Sequence, residues 1–372
     1  MKILQVNKLY SPHIGGIERV IQDISEGLND KYDIHVLVCQ SKGKTSNEII
    51  NGVKVKRSGS IGTYFSTPIS FSFFRYFKRM SKDADIIHVH LPFPLADIAC
   101  LLSGYKGKIV ISWHSDVVKQ KKLLVFYKPV MKAFLKRADC IFVATPGHIS
   151  GSAYLKPYSQ KCRIVPYGIN AEWYENAERM PLLTQKLTDS SSKKLLFTGR
   201  LVYYKGIDVL IRAMKYTSDC ELFIAGEGVL HDSLLDEVQK AGISSRVHFL
   251  GVLTDKELKA AMSDCDVFIL PSVENSEAFG IVQMEAMVYG KPVINTSLPT
   301  GVPYVSPDGI SGITVEPKNE KELADAVNIL VHDDKLREKY GMQAYSIVRE
   351  KYNMPKVIEL ISSIYKELTE RG

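Results

Sequence analysis

The sequence predicts an α/β protein made of two doubly wound parallel-sheet domains in tandem. Short apolar runs of strand length alternate with helical patterns along the chain, which is typical of βαβ units. With 372 residues the chain is long enough for two domains of ordinary size. A polar segment with prolines, at residues 166–193, interrupts the series and indicates the passage from one domain to the next.

The strand candidates form two series on either side of that segment. The first series is predicted at residues 3–6, 34–39, 53–57, 86–89, 108–112, 140–144 and 163–165. The second series is predicted at residues 195–198, 221–225, 247–250, 267–270, 292–295 and 313–315. After residue 319 the pattern is helical, and a last helix at about 354–372 is expected to pack back on the first domain. We therefore expect an N-terminal domain of residues 1–168 plus that helix, and a C-terminal domain of residues 169–353.

The composition excludes several classes of protein. With 45% apolar and 24% charged residues the chain is neither disordered nor collagen-like. No apolar run approaches the ~20 residues needed to cross a bilayer, so an integral membrane protein is excluded. The first apolar stretch is too short for a signal peptide, so we expect no export. Six cysteines without metal-type spacing indicate reduced core thiols in the cytoplasm.

Charge is shared unevenly between the two halves. Residues 1–180 hold 26 Lys and Arg against 14 Asp and Glu, whereas residues 181–372 hold 22 against 27. The basic excess concentrates at residues 71–82 and 117–137, where aromatic residues are interleaved with Lys and Arg. This pattern favours an interfacial helix on an anionic membrane surface, and an ordinary solvated helix face is the alternative. No recognition motif for nucleic acid accompanies the charge. We expect peripheral attachment at the cytoplasmic face of a membrane.

Candidate functional residues follow the predicted strands, because ligands of open parallel sheets bind beyond the carboxyl ends of the strands. After the first strand, Gly15 and Gly16 open a helix, where backbone N–H groups can approach an anion or simply form a tight turn. After the fifth strand, His114 can hydrogen-bond a ligand hydroxyl, or be a structural histidine. His88 and His90 share one strand face but lack a third ligand, so we do not interpret them as a metal site.

The second half carries a candidate anion site. Gly199 and Arg200 follow a strand, and Lys205 comes five residues later. Two cations on one loop suit a diphosphate, since each forms a charge-assisted hydrogen bond. Glu227 and Gly228 belong to a tight turn after the next strand that can seat a base or ribose. A third glycine, which a dinucleotide fingerprint would need, is missing.

A pair of glutamates, Glu277 and Glu285, is the most specific feature. A retaining glycosidase would need two carboxyls ~5 Å apart, whereas eight residues of helix rise ~12 Å. The pair is therefore expected to hold two ends of one elongated ligand. The backbone N–H groups of Phe279, Gly280 and Ile281, at a helix start, would face an anion between them.

Together these motifs resemble the family 4 retaining glycosyltransferases, which have the GT-B fold of two Rossmann-like domains facing across a cleft. The resemblance spans nearly the whole chain and rests on seven places: residues 15–18, 114, 166–168, 199–206, 226–228, 277–285 and 290–293. It implies that Arg200 and Lys205 bind the donor diphosphate, Glu277 the donor sugar and Glu285 the ribose hydroxyls. It also implies that Gly16 closes over the phosphate and that His114 touches the transferred sugar.

The resemblance implies a reaction as well. A hexose would pass, with retention and by front-side attack, from a nucleotide-diphosphate sugar (GDP-mannose-like or a UDP-sugar) to a hydroxyl of a growing, lipid-linked surface glycan. No cofactor and no metal would be needed. The loop at residues 298–303 departs from the glycine pair of many members and is similar to that of O-antigen mannosyl- or rhamnosyltransferases. The alternatives are a nucleotide-sugar epimerase, which would need different motifs, and a non-catalytic sugar-nucleotide-binding module.

Overall fold

The computed structural model describes residues 1–13, 15–64, 67–116, 121–176 and 180–370, with all their side chains except those of residues 121–124. The chain divides into two compact units. Unit 1 comprises Met1–Gly168 and Met354–Gly372, and unit 2 comprises Ile169–Asn353.

Unit 1 is built on a mostly parallel sheet. Its strands are β1 (Lys2–Val6), β2 (Asp33–Cys39), β3 (Ser46–Ile50), β4 (Val53–Ser58), β5 (Thr63–Tyr64), β6 (Thr67–Pro68), β7 (Ile86–Leu91), β8 (Lys108–Trp113), β9 (Cys140–Val143) and β10 (Cys162–Ile164). Eight of them form one sheet in the order β10-β9-β8-β7-β1-β2-β4-β3, and β5 pairs with β6. Only β3 among the eight runs antiparallel to its neighbour. The direction of winding reverses between β1 and β7, and such a switch point opens a crevice at the carboxyl ends of the strands.

The helices of unit 1 are α1 (Gly16–Leu28), α2 (Phe71–Ser81), α3 (Pro94–Leu102), α4 (Lys121–Arg137), α5 (Pro146–Gly151) and the last helix, Met354–Glu370. The last helix packs on α1, where a side chain at Gly27 would collide with Ile358. The hydroxyl of Tyr32 is hydrogen-bonded to that of Ser362 at 2.6 Å. The chain therefore returns to unit 1 after completing unit 2.

Unit 2 repeats the same architecture with a fully parallel sheet. Its strands are β11 (Lys193–Thr198), β12 (Cys220–Ala225), β13 (Val247–Gly251), β14 (Val267–Ile269), β15 (Val293–Thr296) and β16 (Gly312–Val315). Their order is β13-β12-β11-β14-β15-β16, so the winding reverses between β11 and β14. Its helices are α6 (Ala171–Glu175), α7 (Ile207–Ala213), α8 (His231–Lys240), α9 (Asp255–Asp264), α10 (Ile281–Met287), α11 (Val302–Val305), α12 (Glu320–His332) and α13 (Asp334–Lys351), which makes the last helix of unit 1 α14.

Each sheet lies between helices, as the continuous apolar runs predict. All six residues of β12 are buried, and so are all six of β7, although two of these are histidines. The thirteen predicted strands are all present, with ends within two residues of those expected. Strands β3, β5 and β6 were not predicted. The residues of β3 alternate between half-buried and exposed positions at the edge of the sheet, and β5 and β6 have only two residues each. The predicted α/β class with two doubly wound sheets is confirmed.

Candidate active site

The switch point of unit 2 brings the loop after β11 next to the loop after β14. Gly206, which precedes α7, has a φ of +67°, and a Cβ there would overlap the carbonyl oxygen of Pro271. The backbone N–H of Val273 donates to the carbonyl of Tyr204 at 2.8 Å. These two backbone contacts hold the cation-bearing loop against the loop that carries the glutamate.

Lys205 and Glu277 form an ion pair across this junction. Lys205 Nζ lies 2.5 Å from Glu277 Oε2, and each side chain is 11% exposed. The hydroxyl of Ser272 also donates to Glu277 Oε2, at 3.2 Å. Two residues that are 72 positions apart in the sequence therefore share one largely desolvated point, where their attraction is stronger than it would be in water.

Arg200 lies on the same loop but is exposed. Its guanidinium donates to the hydroxyl of Tyr204 at 3.2 Å. Gly199, between β11 and Arg200, has a φ of +149°, and a Cβ there would lie 3.5 Å from Lys205 Cε. The loop thus presents a second cation beside the Lys205–Glu277 pair.

The turn after β12 packs by its backbone on the turn after β11. A Cβ at Gly226 would overlap the carbonyl of Gly199, and one at Gly228 would overlap the carbonyl of Leu201. The N–H of Leu201 donates to the carbonyl of Glu227 at 2.9 Å, and the Glu227 side chain points out of the core as an exposed carboxylate. Glycine at 226 and 228 is what permits this approach.

Helix α10 is held at its start by buried polar side chains. Gly280 has a φ of +76° directly before Ile281, the first helical residue, and Phe279 is buried. Gln283 Nε2 donates to the carbonyl of Phe279 at 3.2 Å, and Asn295 Nδ2 donates to Gln283 Oε1 at 2.9 Å. This network ties the segment that follows Glu277 to β15.

Glu285 is the fifth residue of α10, about one turn after the helix start. Its Oε1 accepts a hydrogen bond from the hydroxyl of Tyr174 at 2.9 Å. The carbonyl of Tyr174 in turn accepts from the Tyr289 hydroxyl at 2.7 Å. Glu285 thus bonds to Tyr174, whereas Glu277 bonds to Lys205 and Ser272.

In unit 1, Gly15 and Gly16 lie at the start of α1, after β1. A Cβ at Gly15 would overlap the carboxylate of Glu18, whereas one at Gly16 would meet nothing within 4 Å. Lys8 lies close enough to Glu18 for their charges to interact, and burial lowers the pKa of its ammonium group. The start of α1 therefore consists of two glycines without side chains, with the charged groups of Lys8 and Glu18 nearby.

His114, directly after β8, is 4% exposed and uses both ring nitrogens. Its Nδ1 lies 2.7 Å from the hydroxyl of Tyr167, and its Nε2 lies 3.0 Å from His90 Nδ1. Burial lowers the pKa of the imidazole well below its usual value, so His114 is neutral at physiological pH. A neutral imidazole held at both nitrogens has a fixed orientation.

Comparison with known proteins places the chain in a family. Residues 14–173 match the model described as Glycosyltransferase Family 4, and residues 182–347 match Glycosyl transferases group 1. The O-antigen chain mannosyltransferase C of Escherichia coli is 30% identical over 100% of this chain and 99% of its own. The D-rhamnosyltransferase WbpZ of Pseudomonas aeruginosa is 32% identical over 94% of this chain and 92% of its own.

This chain is a family 4 glycosyltransferase. Solved structures show the same GT-B fold at low sequence identity. Sucrose-phosphate synthase from Thermosynechococcus elongatus superposes with a TM-score of 0.82 at 20% identity, covering 100% of both chains. Anabaena HepE, solved in complex with UDP, superposes with a TM-score of 0.81 at 18% identity, covering 99% of this chain and 100% of its own. The predicted family, fold and enzyme class are confirmed.

The candidate residues of the glycosyltransferase fall into two groups, one in each unit. In unit 2, Lys205 and Glu277 are in contact. The remaining candidates of unit 2 lie on the loops and turns that pack against this pair: Gly199, Arg200, Glu227, Gly228, Phe279, Gly280 and Ile281. Glu285, on α10, accepts a hydrogen bond from Tyr174. In unit 1, Gly15, Gly16 and His114 follow β1 and β8 at the same edge of the sheet.

The sequence analysis missed three polar residues that position this site: Ser272, Gln283 and Asn295. All three are buried. Gln283 and Asn295 each interrupt an apolar stretch, and a polar residue inside a segment expected to be buried was the available signal. His88 and His90 form hydrogen bonds within unit 1. Among the described residues, no cluster of three or more His, Cys, Asp or Glu could hold a metal ion.

Proposed function

We propose that the glycosyltransferase moves a hexose from a nucleotide-diphosphate sugar to a hydroxyl of a growing, lipid-linked surface glycan, with retention of configuration. The Lys205–Glu277 pair at the switch point of unit 2 carries this proposal, because a cation for a diphosphate and a carboxylate for sugar hydroxyls meet there. The names of the two full-length relatives support a hexose of the mannose or rhamnose type and an O-antigen-like product.

Unit 2 is the donor side in this proposal. Arg200 and Lys205 bind the diphosphate, with Gly199 leaving room for it. Glu277 binds the sugar, and the N–H groups of residues 279–281 face the anion. The turn at Glu227 and Gly228 seats the base or ribose, and Glu285 binds the ribose hydroxyls with its carboxylate oriented by the Tyr174 hydroxyl.

Unit 1 is the acceptor side in this proposal. Gly16, where a Cβ would meet nothing within 4 Å, leaves the start of α1 accessible to the donor phosphate, next to Gly15. His114 contacts the transferred sugar.

The chemistry follows from where charge develops. As the bond to the sugar breaks, negative charge accumulates on the diphosphate and positive charge on the ring, so cations already in place at the phosphate lower the barrier. Lys205 and Arg200 supply these cations without a metal. The acceptor hydroxyl attacks from the face that the leaving group vacates, and the diphosphate oxygen takes its proton.

The test is transfer with purified protein, GDP-mannose or UDP-glucose, and a diphospholipid-linked oligosaccharide acceptor in excess EDTA. We expect transfer from one donor, with the anomeric configuration of the donor preserved in the product by NMR coupling constants. An inverted product would contradict retention. Loss of activity that Mg²⁺ restores would contradict metal independence, and no transfer or hydrolysis with any nucleotide sugar would contradict the donor class.

We also propose that unit 1 attaches to the anionic cytoplasmic face of a membrane. In α4, the side chains of Val125 and Phe126 are 69% and 82% exposed, and Lys128, Lys132 and Lys136 are exposed on the same helix. Phe71, in the basic helix α2, is 79% exposed. Apolar insertion together with about 1 kcal/mol per basic residue near the surface supports binding.

The structure corrects part of the predicted membrane stretch. The basic stretch 117–137 was predicted to insert its apolar residues into lipid, but two of these, Phe134 and Leu135, are fully buried in the core of unit 1, so for them the prediction is wrong. The hydroxyl of Tyr127 points inward to Asp97. The predictions for residues 117–120, and for the side chains of residues 121–124, lie outside the described residues. In the described part of the chain, no helix combines the length and apolar character that crossing a bilayer requires.

Vesicle co-sedimentation tests this attachment. The triple substitution of Lys128, Lys132 and Lys136 by Glu is expected to abolish binding to anionic vesicles. The matched control replaces three exposed lysines of α13 in unit 2, Lys335, Lys339 and Lys351, and is expected to bind as the unmodified protein does. Equal binding of the unmodified protein to neutral and anionic vesicles, or no effect of the α4 substitutions, would contradict the proposal.

A further inference from the structure

A continuous chain of six hydrogen bonds runs through the core of unit 1. It connects seven polar side chains from five separate parts of the sequence: Ser112, His88, Tyr365, Gln5, His90, His114 and Tyr167. Along that order the donor-to-acceptor distances are 2.7, 2.6, 3.3, 3.0, 3.0 and 2.7 Å. Three of these residues come from the central strands β1 and β7, and Tyr365 comes from α14.

The hydrogen bonds of Gln5 determine the direction of donation along the chain. Gln5 accepts from His90 at its Oε1, so His90 carries its proton on Nε2 and its Nδ1 is an acceptor. His114 must then donate from Nε2, which leaves its Nδ1 to accept from the Tyr167 hydroxyl. On the other side, Gln5 Nε2 donates to Tyr365, whose hydroxyl donates to His88 Nδ1.

The burial of these groups makes the arrangement rigid. Gln5, His88, His90 and Tyr365 have no exposed surface. The His88 and His90 rings stack at 4.6 Å, and the His90 and His114 rings stack at 5.2 Å. In such surroundings a protonated imidazole is disfavoured, and each polar atom left without a partner would be costly.

We propose that Gln5 and Tyr365 are positioning residues that set the tautomer and ring orientation of His114 through His90. This inference rests on the proposed function, in which His114 contacts the transferred sugar. Tyr365 fixes the Gln5 amide, because its hydroxyl accepts from Gln5 Nε2 and so turns Oε1 toward His90. The Gln5 amide then fixes His90, and His90 fixes His114. The C-terminal helix thereby determines which nitrogen of His114 carries the proton.

Two substitutions break the chain at different links. Gln5→Met removes the acceptor of His90 and lets it adopt the other tautomer. Tyr365→Phe removes the hydroxyl that orients the Gln5 amide. Tyr32→Phe is the matched control, because the Tyr32 hydroxyl also anchors α14, through Ser362, while the phenylalanine keeps the ring that packs against Tyr365.

The readouts are ¹⁵N-histidine NMR of the full-length protein and steady-state kinetics with the donor. In the unmodified protein and in Tyr32→Phe, we expect His114 to be protonated at Nε2 only. In Gln5→Met and Tyr365→Phe, we expect a mixture of His114 tautomers and a kcat at least 10-fold lower, with the KM for the donor changed less than 3-fold. If the two residues had a purely structural role, the variants would yield less folded protein, but the folded fraction would keep its kcat and its His114 tautomer.

Two results would overturn the inference. One is a His114 protonated at Nδ1 in the unmodified protein. The other is an unchanged His114 tautomer and kcat in whichever of the two variants folds. An unmodified protein that transfers no sugar would instead contradict the proposed function, and the NMR measurement would still decide the tautomer.

Discussion

Lys205 and Glu277 hold each other at 2.5 Å where the loop after β11 meets the loop after β14. At the scale of the residue this pairing neutralises two largely buried charges. It also keeps both side chains in defined positions, so little side-chain entropy remains to be lost on binding. The ion pair is therefore a form of preorganisation.

Lys205→Ala is expected to lower kcat/KM for transfer by about 10²–10³-fold, since a preorganised charge at a developing anion contributes about 3–4 kcal/mol. Circular dichroism should show an intact fold, because the lysine fills no core. Steady-state kinetics check the prediction, with Lys240→Ala, an exposed lysine of α8, as the control. Equal kcat/KM in the two variants would remove Lys205 from the donor site.

Single residues also show the limit of sequence analysis. The motif residues Lys205 and Glu277 were identified because charged residues at strand ends stand out against apolar runs. Tyr365 did not stand out, since its partner His88 is 277 positions away. A tyrosine on the apolar face of an amphipathic helix is also a common core residue. Long-range polar contacts of this kind leave no periodic signal in one sequence.

At the scale of the element, the turns at the edge of the unit 2 sheet meet backbone to backbone. Glycine is required at residues 206, 226 and 228, because each faces a carbonyl oxygen of a neighbouring turn. The turns thus form a single layer whose spacing is set by main-chain contacts. The strands beneath were predictable from apolar runs, whereas this spacing depends on loop conformations that the sequence pattern does not specify.

Gly206→Ala is expected to destabilise unit 2 and to reduce transfer. Gly242→Ala is a close control, since Gly242 has a φ of +69° against +67° at Gly206 but a Cβ there would meet nothing within 4 Å. In the control, the free energy of unfolding should fall only by the cost of a left-handed alanine, about 1–2 kcal/mol. In Gly206→Ala the free energy of unfolding should fall by about 2 kcal/mol more than in the control, because the Pro271 carbonyl must move to make room for the methyl group. Urea unfolding measures both, and equal losses would contradict the close approach.

At the scale of the whole molecule, the buried histidines all belong to unit 1. Burial lowers the pKa of His88 to about 3 and that of His148 to about 4, and it lowers the pKa of His90 and His114 well below the usual value. When the pKa of a histidine is lowered by folding, the histidine does not change the free energy of unfolding at a pH above its unfolded-state pKa of about 6.5. Below that pH the unfolded chain binds a proton that the folded protein does not, so the fold is destabilised. These four histidines therefore make unit 1 less stable as the pH falls below about 6.5.

Buried carboxyls act in the opposite direction. Burial raises the pKa of Asp97 to about 8 and that of Asp23 to about 6, so each of these groups stabilises the fold as the pH falls. Burial also raises the pKa of Asp116. The four histidines outnumber these three carboxyls, so the free energy of unfolding of unit 1 is expected to rise with pH between pH 5 and 6.

Asp97→Asn is expected to steepen this dependence by about 1.4 kcal/mol per pH unit, because it removes one proton that only the folded state binds. Denaturant unfolding followed at several pH values between 5 and 6 gives both slopes. A slope that Asp97→Asn leaves unchanged would mean that Asp97 is ionised in the folded protein.

Unit 1 is discontinuous in sequence, whereas unit 2 is a single uninterrupted stretch. During synthesis, residues 1–168 leave the ribosome long before α14, and until then Gln5 and His88 lack the Tyr365 hydroxyl that both of them bond in the finished protein. Unit 2 needs no later segment. The half that is made first is thus expected to mature last, which reverses the usual N-terminal-first order of co-translational folding.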